Sequence, residues 1–254
     1  MGGMGFISSH HAEILHNNSL INIHTLEAAR QNGVTRYLYT SSACVYPEFL
    51  QEETNAVPLK ESDVYPAMPQ DAYGWEKLVS ERLCMHYRED YGLETRTVRF
   101  HNIFGEKGTW DGGREKAPAA ICRKIALAKL TGENEIEIWG DGEQTRSFTY
   151  IDDCVVGTQR LLQSDIREPL NIGSDQLVTI NELVDIVERI AGVRLRRRYR
   201  LDAPKGVRGR NSDNTLVKQQ LGWAPSTRLE DGMQRTYEWI YGEMTGQERR
   251  VVFV

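Results

Sequence analysis

The sequence has few cysteines, and no two of them are closely spaced. Cys44, Cys84, Cys122 and Cys154 are spread along a chain of 254 residues, so no Cys-x-x-Cys element is available for a zinc site or a redox pair. The spacing also does not match the dense disulfide framework of small secreted proteins. Cys84 and Cys122 lie in stretches with a helical pattern and are predicted to be ordinary buried thiols, whereas Cys44 follows a strand and is considered below.

Long apolar runs and an excess of positive charge are missing as well. No apolar run approaches the roughly 20 residues of a membrane span, and no basic segment followed by an apolar stretch begins the chain. A net charge of −5 disfavours a nucleic-acid partner. His10, His11 and His16 have no carboxylate or cysteine to complete a metal site, so we predict surface histidines and no metal. The composition is that of a soluble globular protein, for which we expect a cytoplasmic location.

The first half of the sequence alternates strand-like and helix-like segments. Residues 36–41 (RYLYTS) and 95–100 are predicted strands, and RYLYTS suits a strand buried on both faces of a parallel sheet. Helices are predicted over 19–31 and from Ala72 to about Asp90, with Asp71 as the cap of the second helix and Gly92 as its end. Strand, helix and strand in this order predict a doubly wound, parallel α/β sheet of the Rossmann type.

The second half has a looser pattern, which predicts a smaller α+β domain. Helices are predicted over 118–130 and 229–243, Asp152 is a predicted helix cap, and Thr179 with Glu182 forms a capping box before a helix that runs to Ala191. Residues 135–139 and 146–150 are predicted strands around a turn at 140–142, which by itself is simply a hairpin. The arginine-rich stretch 194–200 alternates like a solvated strand. We expect one domain over 1–110 and a second over 111–254, partly interleaved with the first.

The glycines at the start of the chain do not form a dinucleotide site. In a doubly wound sheet, a glycine-rich turn between the first strand and its helix holds the cofactor pyrophosphate. Gly2, Gly3 and Gly5 are too close together for G-x-G-x-x-G, and no strand precedes them. We therefore expect the first strands to lie upstream of Met1, and we expect this chain by itself to bind a dinucleotide poorly.

Tyr73 and Lys77 are spaced as Tyr-x-x-x-Lys on a predicted helix, so they share one face. An ammonium beside a phenol lowers the pKa of the phenol from its ordinary value of about 10 and makes it a usable general base. This spacing alone is also typical of an ordinary solvated helix face. The functional interpretation is favoured because a serine-rich strand end, residues 40–47 (TSSACVYP), precedes the pair, and functional groups of open α/β sheets lie at the carboxyl ends of strands.

The order of these motifs resembles that of the extended short-chain dehydrogenase/reductase family, which includes NAD-dependent epimerases and dehydratases of nucleotide sugars. The matching segments are 41–46 (SSACVY), 71–77 (DAYGWEK), 99–105 (RFHNIFG) and 146–153 (RSFTYIDD). The resemblance implies a Rossmann-type NAD-binding domain over 1–110, a nucleotide-sugar domain over 111–254, and a homodimer. It also implies that Tyr73 is the base for hydride transfer at C4 of the sugar, that Tyr73, Lys77 and Ser41 belong to the cofactor site, and that Ser42 holds the sugar hydroxyl.

Within the family, the sequence is similar to epimerases of GDP-sugars that invert C3 and C5. The features are Cys44 in place of serine or threonine, the loop 112–120 (GGREKAPAA), the segment 207–214 (VRGRNSDN) and the opening glycines. The likeness implies substrate contacts from Gly2, Gly3, Ser42, Asn102, Glu115, Lys116, Ala117, Lys124, Gln144, Arg146, Arg208 and Arg210. Other GDP- or UDP-sugar 4-epimerases and an inactive remnant remain alternatives. A 4,6-dehydratase is disfavoured because Cys44-Val45 stands where its acidic pair is expected.

Cys44 and Lys116 suit the acid–base chemistry that such an inversion needs. Oxidation of C4 to a ketone acidifies the protons on C3 and C5, and inversion then requires a base on one face and an acid on the other. A thiol with a pKa of about 8.5 and an ammonium with a pKa of about 10.4 can both be drawn toward neutrality in a closed pocket. Taken singly, Cys44 is better interpreted as a small buried hydrophobe and Lys116 as a surface charge. The functional interpretation is favoured because the two residues occur together within the wider match. Guanidinium groups suit the diphosphate.

Overall fold

The computed structural model describes residues 3–204 and 206–246 of the chain. The helices are α1 Met4–Ile7, α2 His11–Gln31, α3 Ala72–Tyr91, α4 Ala117–Thr131, α5 Ile151–Gln163, α6 Ile180–Ala191, α7 Thr215–Leu221 and α8 Leu229–Thr245. The strands are β1 Arg36–Ser42, β2 Glu94–Phe100, β3 Ile103–Phe104, β4 Glu135–Trp139, β5 Thr145–Ser147, β6 Thr149–Tyr150, β7 Leu170–Ile172, β8 Leu177–Thr179, β9 Arg196–Arg200 and β10 Gly209–Arg210. Among these described helices, none is long and apolar enough to cross a membrane.

A parallel sheet with helices on both faces forms the first part of the fold. Its described strands run in the order β1-β2-β7, and all of them are parallel. On one face, α2 and α3 pack over Tyr39 through Leu26 and Cys84. On the other face, α5 and α7 pack over Val98 and its neighbours. Apolar faces that are buried on both sides of a parallel sheet define a doubly wound α/β fold, so the predicted fold class is confirmed.

Two details of this first part differ from the sequence-based prediction. Strand β1 is only half buried, with Thr40 exposed, because among the described strands it pairs with β2 alone. Helix α2 begins eight residues earlier than predicted, and Leu20 and Ile23 are exposed rather than buried. Of the eight residues that begin this helix, only Ile14 is buried, so a helical spacing of buried apolar residues cannot be recognised there.

The N-terminus of α3 is fixed as predicted, and its position matters for the site. The Asp71 side chain accepts a hydrogen bond from the Gly74 backbone N–H at 2.9 Å, and Gly92 ends the helix in the left-handed region at φ 71°. A side chain at Gly74 would collide with the backbone carbonyl of Cys44. The first turn of α3, which carries Tyr73, therefore packs directly against the turn that carries Cys44.

A second core is formed by α4, α6 and α8 around β4. Strand β4 pairs in parallel with β9, so the hairpin interpretation of residues 135–150 is wrong. The predicted strand over 146–150 is split at Phe148, because β5 joins β8 and β10 whereas β6 joins β3. The arginine-rich segment forms the exposed strand β9, as predicted.

Helix ends in this second part test two predicted caps. Helix α5 follows β6 without a loop, so Tyr150 occupies the cap position and Asp152 lies in the first turn. The prediction that Asp152 caps the helix is therefore wrong. The capping box of Thr179 and Glu182 is confirmed, with the threonine hydroxyl accepting from the Glu182 N–H at 3.0 Å.

Candidate active site

A cavity of about 670 Å³ opens where the carboxyl end of β1 meets the first turns of α3 and α4 and the strands β4, β5 and β10. It brings together most of the residues that the sequence nominated. Those that line it are Gly3, Ser41, Ser42, Cys44, Tyr73, Asn102, Glu115, Lys116, Ala117, Lys124, Gln144, Arg146 and Arg210. Lys77 and Arg208 are not among the lining residues, and Gly2 lies outside the described residues.

Ser42 and Tyr73 form the edge of the cavity beside the parallel sheet. The Ser42 hydroxyl accepts a hydrogen bond from the Cys44 backbone N–H at 3.2 Å, which fixes the turn after β1. Burial raises the pKa of the Tyr73 phenol and the nearby Cys44 sulfur adds to the effect, while a hydrogen bond with Ser42 acts in the opposite direction. The expected lowering of the phenol pKa is thus wrong for this structure, because loss of water outweighs the opposing hydrogen bond with Ser42.

Lys77 lies one turn along α3, behind Tyr73. Its Nζ donates a hydrogen bond to the Thr40 carbonyl at 3.0 Å and lies 5.6 Å from the centre of the Tyr73 ring. Burial lowers the pKa of the ammonium, and the adjacent Glu76 carboxylate opposes that shift. The predicted Tyr–Lys face is therefore present, although Lys77 reaches the sheet edge rather than the cavity wall.

Cys44 is surrounded by cationic groups. Arg210 donates through Nη1 to the Cys44 Sγ at 3.3 Å, and its Nε donates to the Gln51 side-chain oxygen at 2.5 Å. The sulfur also acts electrostatically on Lys116 and Arg146. Gln51, which sequence reasoning missed, is fully buried and orients the arginine that contacts the cysteine.

Lys116 occupies the cap position of α4, where the chain turns into the cavity. Its side chain is open to the cavity, yet protein groups surround it closely enough that the loss of bulk water lowers the pKa of the ammonium. Cys44 and Cys154 oppose this shift, whereas Arg210 reinforces it. The direction favours proton exchange nearer to neutral pH than an ordinary lysine would allow.

Arg146 of β5 and Arg210 of the adjacent strand β10 supply positive charge to the same cavity wall. Arg146 donates to the carbonyls of Thr145 at 2.7 Å and Val207 at 2.5 Å. Burial, together with Arg210, lowers the pKa of Arg146 to about 9. Arg208 behaves differently, because it donates to the Asp141 carboxylate at 2.8 Å outside the cavity. The structure thus removes Arg208 from the residues that reach the cavity.

The far end of the cavity is lined by side chains tied to nearby carbonyl groups. Asn102 donates to the Ser147 carbonyl, Lys124 to that of Glu137 and Gln144 to that of Trp139, each at 2.9 Å. One buried oxygen of Gln144 has no hydrogen-bond partner among the described residues. An acceptor with no partner at a cavity wall is available for a donor on a ligand.

Glu115 belongs to the same end and is ionised. Burial opposes its charge, but the hydrogen bonds from backbone N–H groups and from Arg123 at 2.7 Å leave its pKa lowered. Arg123 was missed from the sequence, although it lies seven residues after Lys116, two turns along α4. Gly3 is held against this loop by a hydrogen bond to the Arg114 carbonyl at 3.0 Å, and a Cβ on Gly3 would lie 2.5 Å from the Glu115 carbonyl oxygen.

The cysteines and histidines for which no functional role was predicted lie outside the cavity lining. Cys84 and Cys122 are buried free thiols, as predicted, and His10, His11 and His16 are exposed. Over the described ranges, no group of three or more histidine, cysteine, aspartate or glutamate side chains could hold a metal ion.

Comparison with known proteins defines the class of this fold and site. The NAD dependent epimerase/dehydratase family matches residues 2–173, and the chain belongs to that family. The solved structure of UDP-glucose 4-epimerase from Thermotoga maritima superposes with a TM-score of 0.83 at 25% identity, over 94% of this chain and 74% of that one.

Two plant proteins are much more similar in sequence. The chain is 59% identical to GDP-mannose 3,5-epimerase 1 of rice (Oryza sativa subsp. indica) over 240 residues, which are 94% of this chain and 62% of the rice protein. It is 57% identical to GDP-mannose 3,5-epimerase of Arabidopsis thaliana over the same shares of the two chains. The chain therefore spans 62% of the length of these relatives.

Proposed function

We propose that this chain carries the substrate site and the acid–base residues of a GDP-mannose 3,5-epimerase. The observation that carries the proposal is the meeting of Cys44, Lys116, Tyr73 and Ser42 at one cavity of about 670 Å³. That volume is of the size that small-molecule sites occupy. The identity of 57–59% to plant enzymes of this name supports the choice of substrate.

The residues at the sheet edge fit the nicotinamide end of NAD. Ser41, Ser42 and Tyr73 border the cavity at the carboxyl end of β1, where open α/β sheets bind their ligands. Lys77 stands behind them within 3.0 Å of the Thr40 carbonyl. Among the described residues ahead of β1 there is no strand, so that stretch offers no strand–glycine–helix turn for the pyrophosphate. NAD, when bound, supplies the hydride acceptor and donor for C4 of the sugar and, in its oxidised form, a positive charge.

Tyr73 is proposed to take the proton of the C4 hydroxyl and to return it at the end of the reaction. Ser42 hydrogen bonds with the phenol and borders the cavity, so it is placed to hold the same sugar hydroxyl. Burial keeps the phenol protonated in the structure. Loss of its proton therefore depends on positive charge at the site, which Lys77 provides in part.

Cys44 and Lys116 are proposed to exchange protons at C3 and C5. A ketone at C4 acidifies these positions, and the thiolate removes a proton from one face while the ammonium gives one to the other. Arg210 donates a hydrogen bond to the Cys44 sulfur at 3.3 Å, which holds the sulfur at the cavity wall. The lowered pKa of Lys116 makes its ammonium a better proton donor than an ordinary lysine.

The diphosphate is proposed to lie against the arginine wall. Arg146 and Arg210 both line the cavity, and guanidinium groups recognise phosphate oxygens in pairs of hydrogen bonds. Lys124, Asn102 and Glu115 line the cavity beyond them and are proposed as further substrate contacts. Gln144, with its partnerless oxygen, is proposed to accept from a donor on the nucleotide.

The direct test uses a chimera in which the rice relative supplies the segments that this chain does not cover. With NAD, the chimera should convert GDP-mannose to products inverted at C3 and C5, observed by NMR. UDP-glucose serves as the matched control and should not react. Turnover of UDP-glucose at C4 with no reaction of GDP-mannose would favour a 4-epimerase instead.

The exposed apolar side chains of α2 and α3 suggest how the chain assembles. We propose a homodimer formed through α2 and α3, both of which expose large apolar side chains, including Ile21 at 59% and Val79 at 59%. Sedimentation of the two proteins tests this: wild type should be a dimer and Val79→Glu a monomer, whereas a monomer in both would contradict the dimer.

We propose a domain boundary at residue 110, with the two domains partly interleaved, because α5, β7 and α7 come after this residue and complete the first sheet. A cytoplasmic location stays a prediction.

A further inference from the structure

Glu76 is a buried carboxylate that the proposed chemistry does not use. Its side chain is fully buried, and each of its oxygens accepts a hydrogen bond from an asparagine of α2. Asn18 Nδ2 donates to Oε1 at 2.8 Å, and Asn22 Nδ2 donates to Oε2 at 3.0 Å. Neutral amides orient the carboxylate, but they do not balance its charge. An ionised group in such a place requires a partner of opposite charge.

Lys77 is the cation that lies within reach of this carboxylate. Its Nζ is 3.9 Å from Glu76 Oε1, and its side chain is 13% exposed. The ammonium donates to the Thr40 carbonyl and stands 4.9 Å from the Tyr39 ring and 5.6 Å from the Tyr73 ring. Neighbours in sequence normally point away from each other on a helix, so this approach reflects the reach of the lysine rather than helix geometry.

We propose that Glu76 is a positioning residue for Lys77: a buried counter-charge, held in place by Asn18 and Asn22, that keeps the ammonium charged behind Tyr73. Asn18 and Asn22 connect α2 to α3 at this point. The orientation of the Glu76 carboxylate therefore depends on α2, although Glu76 and Lys77 both belong to α3. The catalytic importance of Lys77 rests on the proposed function, whereas the contact between Glu76 and Lys77 does not.

The electrostatics of the pair agree with this geometry. Burial lowers the pKa of Lys77, and Glu76 is the leading group that opposes the shift. Burial raises the pKa of Glu76, and Lys77 is in turn the leading group that opposes it. Each charge therefore stabilises the ionised form of the other. The remaining titratable groups that act on Lys77 are Cys44, Glu81 and Cys84.

Competitive acetylation of the chain with acetic anhydride, read by mass spectrometry across a pH series, measures the titration of Lys77. The reagent attacks only the neutral amine, and exposed Lys60 serves as the internal reference. With Glu76→Gln, the midpoint for Lys77 should fall by about one pH unit, which makes Lys77 about tenfold more reactive near neutral pH. Glu89→Gln, the same change at an exposed position of α3, should leave the midpoint unchanged. An unchanged midpoint in Glu76→Gln would overturn the proposal.

A second variant keeps the proposal testable if Glu76→Gln does not fold. With Lys77→Met, the folded-state pKa of Glu76 rises further above its unfolded value, so stability is lost as pH rises through it. The loss of unfolding free energy relative to wild type should therefore be larger at about pH 8 than at about pH 5. Equal losses at both pH values would contradict the pairing. Neither measurement uses substrate. A negative result therefore contradicts the Glu76–Lys77 pairing but not the proposed epimerase activity, and absence of turnover in the chimera would not contradict the pairing.

Discussion

Arg210 and Cys44 are 166 positions apart in the sequence, and the guanidinium Nη1 donates to the thiol sulfur at 3.3 Å. The arginine is held for this contact by Gln51, whose side-chain oxygen accepts from Nε at 2.5 Å. A cationic donor on a sulfur favours the thiolate, which is the reactive form of cysteine. The contact therefore links a residue from the substrate wall to the proposed base.

Loss of the Arg210 contact should make the Cys44 thiol less reactive. Arg210→Met should slow alkylation of Cys44 by iodoacetamide by about tenfold, because a hydrogen bond from a charged donor is worth more than ~1 kcal/mol. Arg208→Met is the matched control, since Arg208 lies two residues away but pairs with Asp141 outside the cavity. Equal rates for wild type and Arg210→Met, measured by mass spectrometry, would show that the contact does not tune the sulfur.

Tyr73→Phe should abolish the transient reduction of NAD by GDP-mannose in the chimera. Phenylalanine keeps the ring but removes the proposed proton acceptor, and loss of a positioned base costs about a hundredfold to ten-thousandfold in rate. Tyr91→Phe, at the exposed end of the same helix, is the control and should react normally. The measurement is the absorbance of NADH formed in a single turnover. A burst as large as that of wild type in Tyr73→Phe would show that Tyr73 is not the proton acceptor.

Breaking a buried ion pair behind the cavity should strongly destabilise the fold. Arg99 donates twice to Glu81, at 2.9 and 2.7 Å, and Glu81 also accepts from Ser41. Arg99→Met leaves the carboxylate buried without its partner and should cost about 3–5 kcal/mol of unfolding free energy. Arg189→Met, which breaks an exposed pair with Glu230, should change it by about 1 kcal/mol or less. Comparable losses in the two variants, in urea denaturation, would contradict the account.

His101 should make the fold sensitive to acid. Burial lowers the pKa of this imidazole to about 3, so between the ordinary value and about 3 the unfolded state binds a proton that the folded state does not. Stability is therefore lost as pH falls through that window. His101→Gln should flatten the dependence of unfolding free energy on pH by up to about 1.4 kcal/mol per pH unit. His16→Gln, at an exposed position, should leave the slope unchanged, and an unchanged slope in His101→Gln would be the contrary result.

The sequence predicted the elements whose signals are local. Helix α3 was predicted closely because Asp71 and Gly92 mark its ends, and β2 because its residues form one short strand-like run. The division of residues 145–150 into β5 and β6 could not be predicted, because their partners β3, β8 and β10 are distant in sequence. The start of α2 was missed because, of the eight residues that begin it, only Ile14 is buried.

The site was predicted in part for the same reason. Spacing and resemblance nominated Cys44, Tyr73 and Lys116, which line one cavity. The contact of Gln51 with Arg210 spans 159 positions and has no local signature. The direction of the Tyr73 pKa was also wrong, because burial cannot be judged from the spacing of a tyrosine and a lysine.

We propose that Cys44 exchanges protons at C3 and C5 of the sugar, whereas Tyr73 exchanges the proton of the C4 hydroxyl. A serine hydroxyl is a far weaker acid than a thiol and is not ionised near neutral pH without a dedicated partner. The deciding measurement is NMR of the sugar recovered after the Cys44→Ser chimera is incubated with NAD and GDP-mannose in D2O. Cys122→Ala, which removes a thiol from the second core, is the control. We expect no deuterium at C3 or C5 in Cys44→Ser, although NAD is still reduced transiently, and we expect deuterium at these positions in the control. Deuterium at the wild-type level in Cys44→Ser would mean that another group is the base.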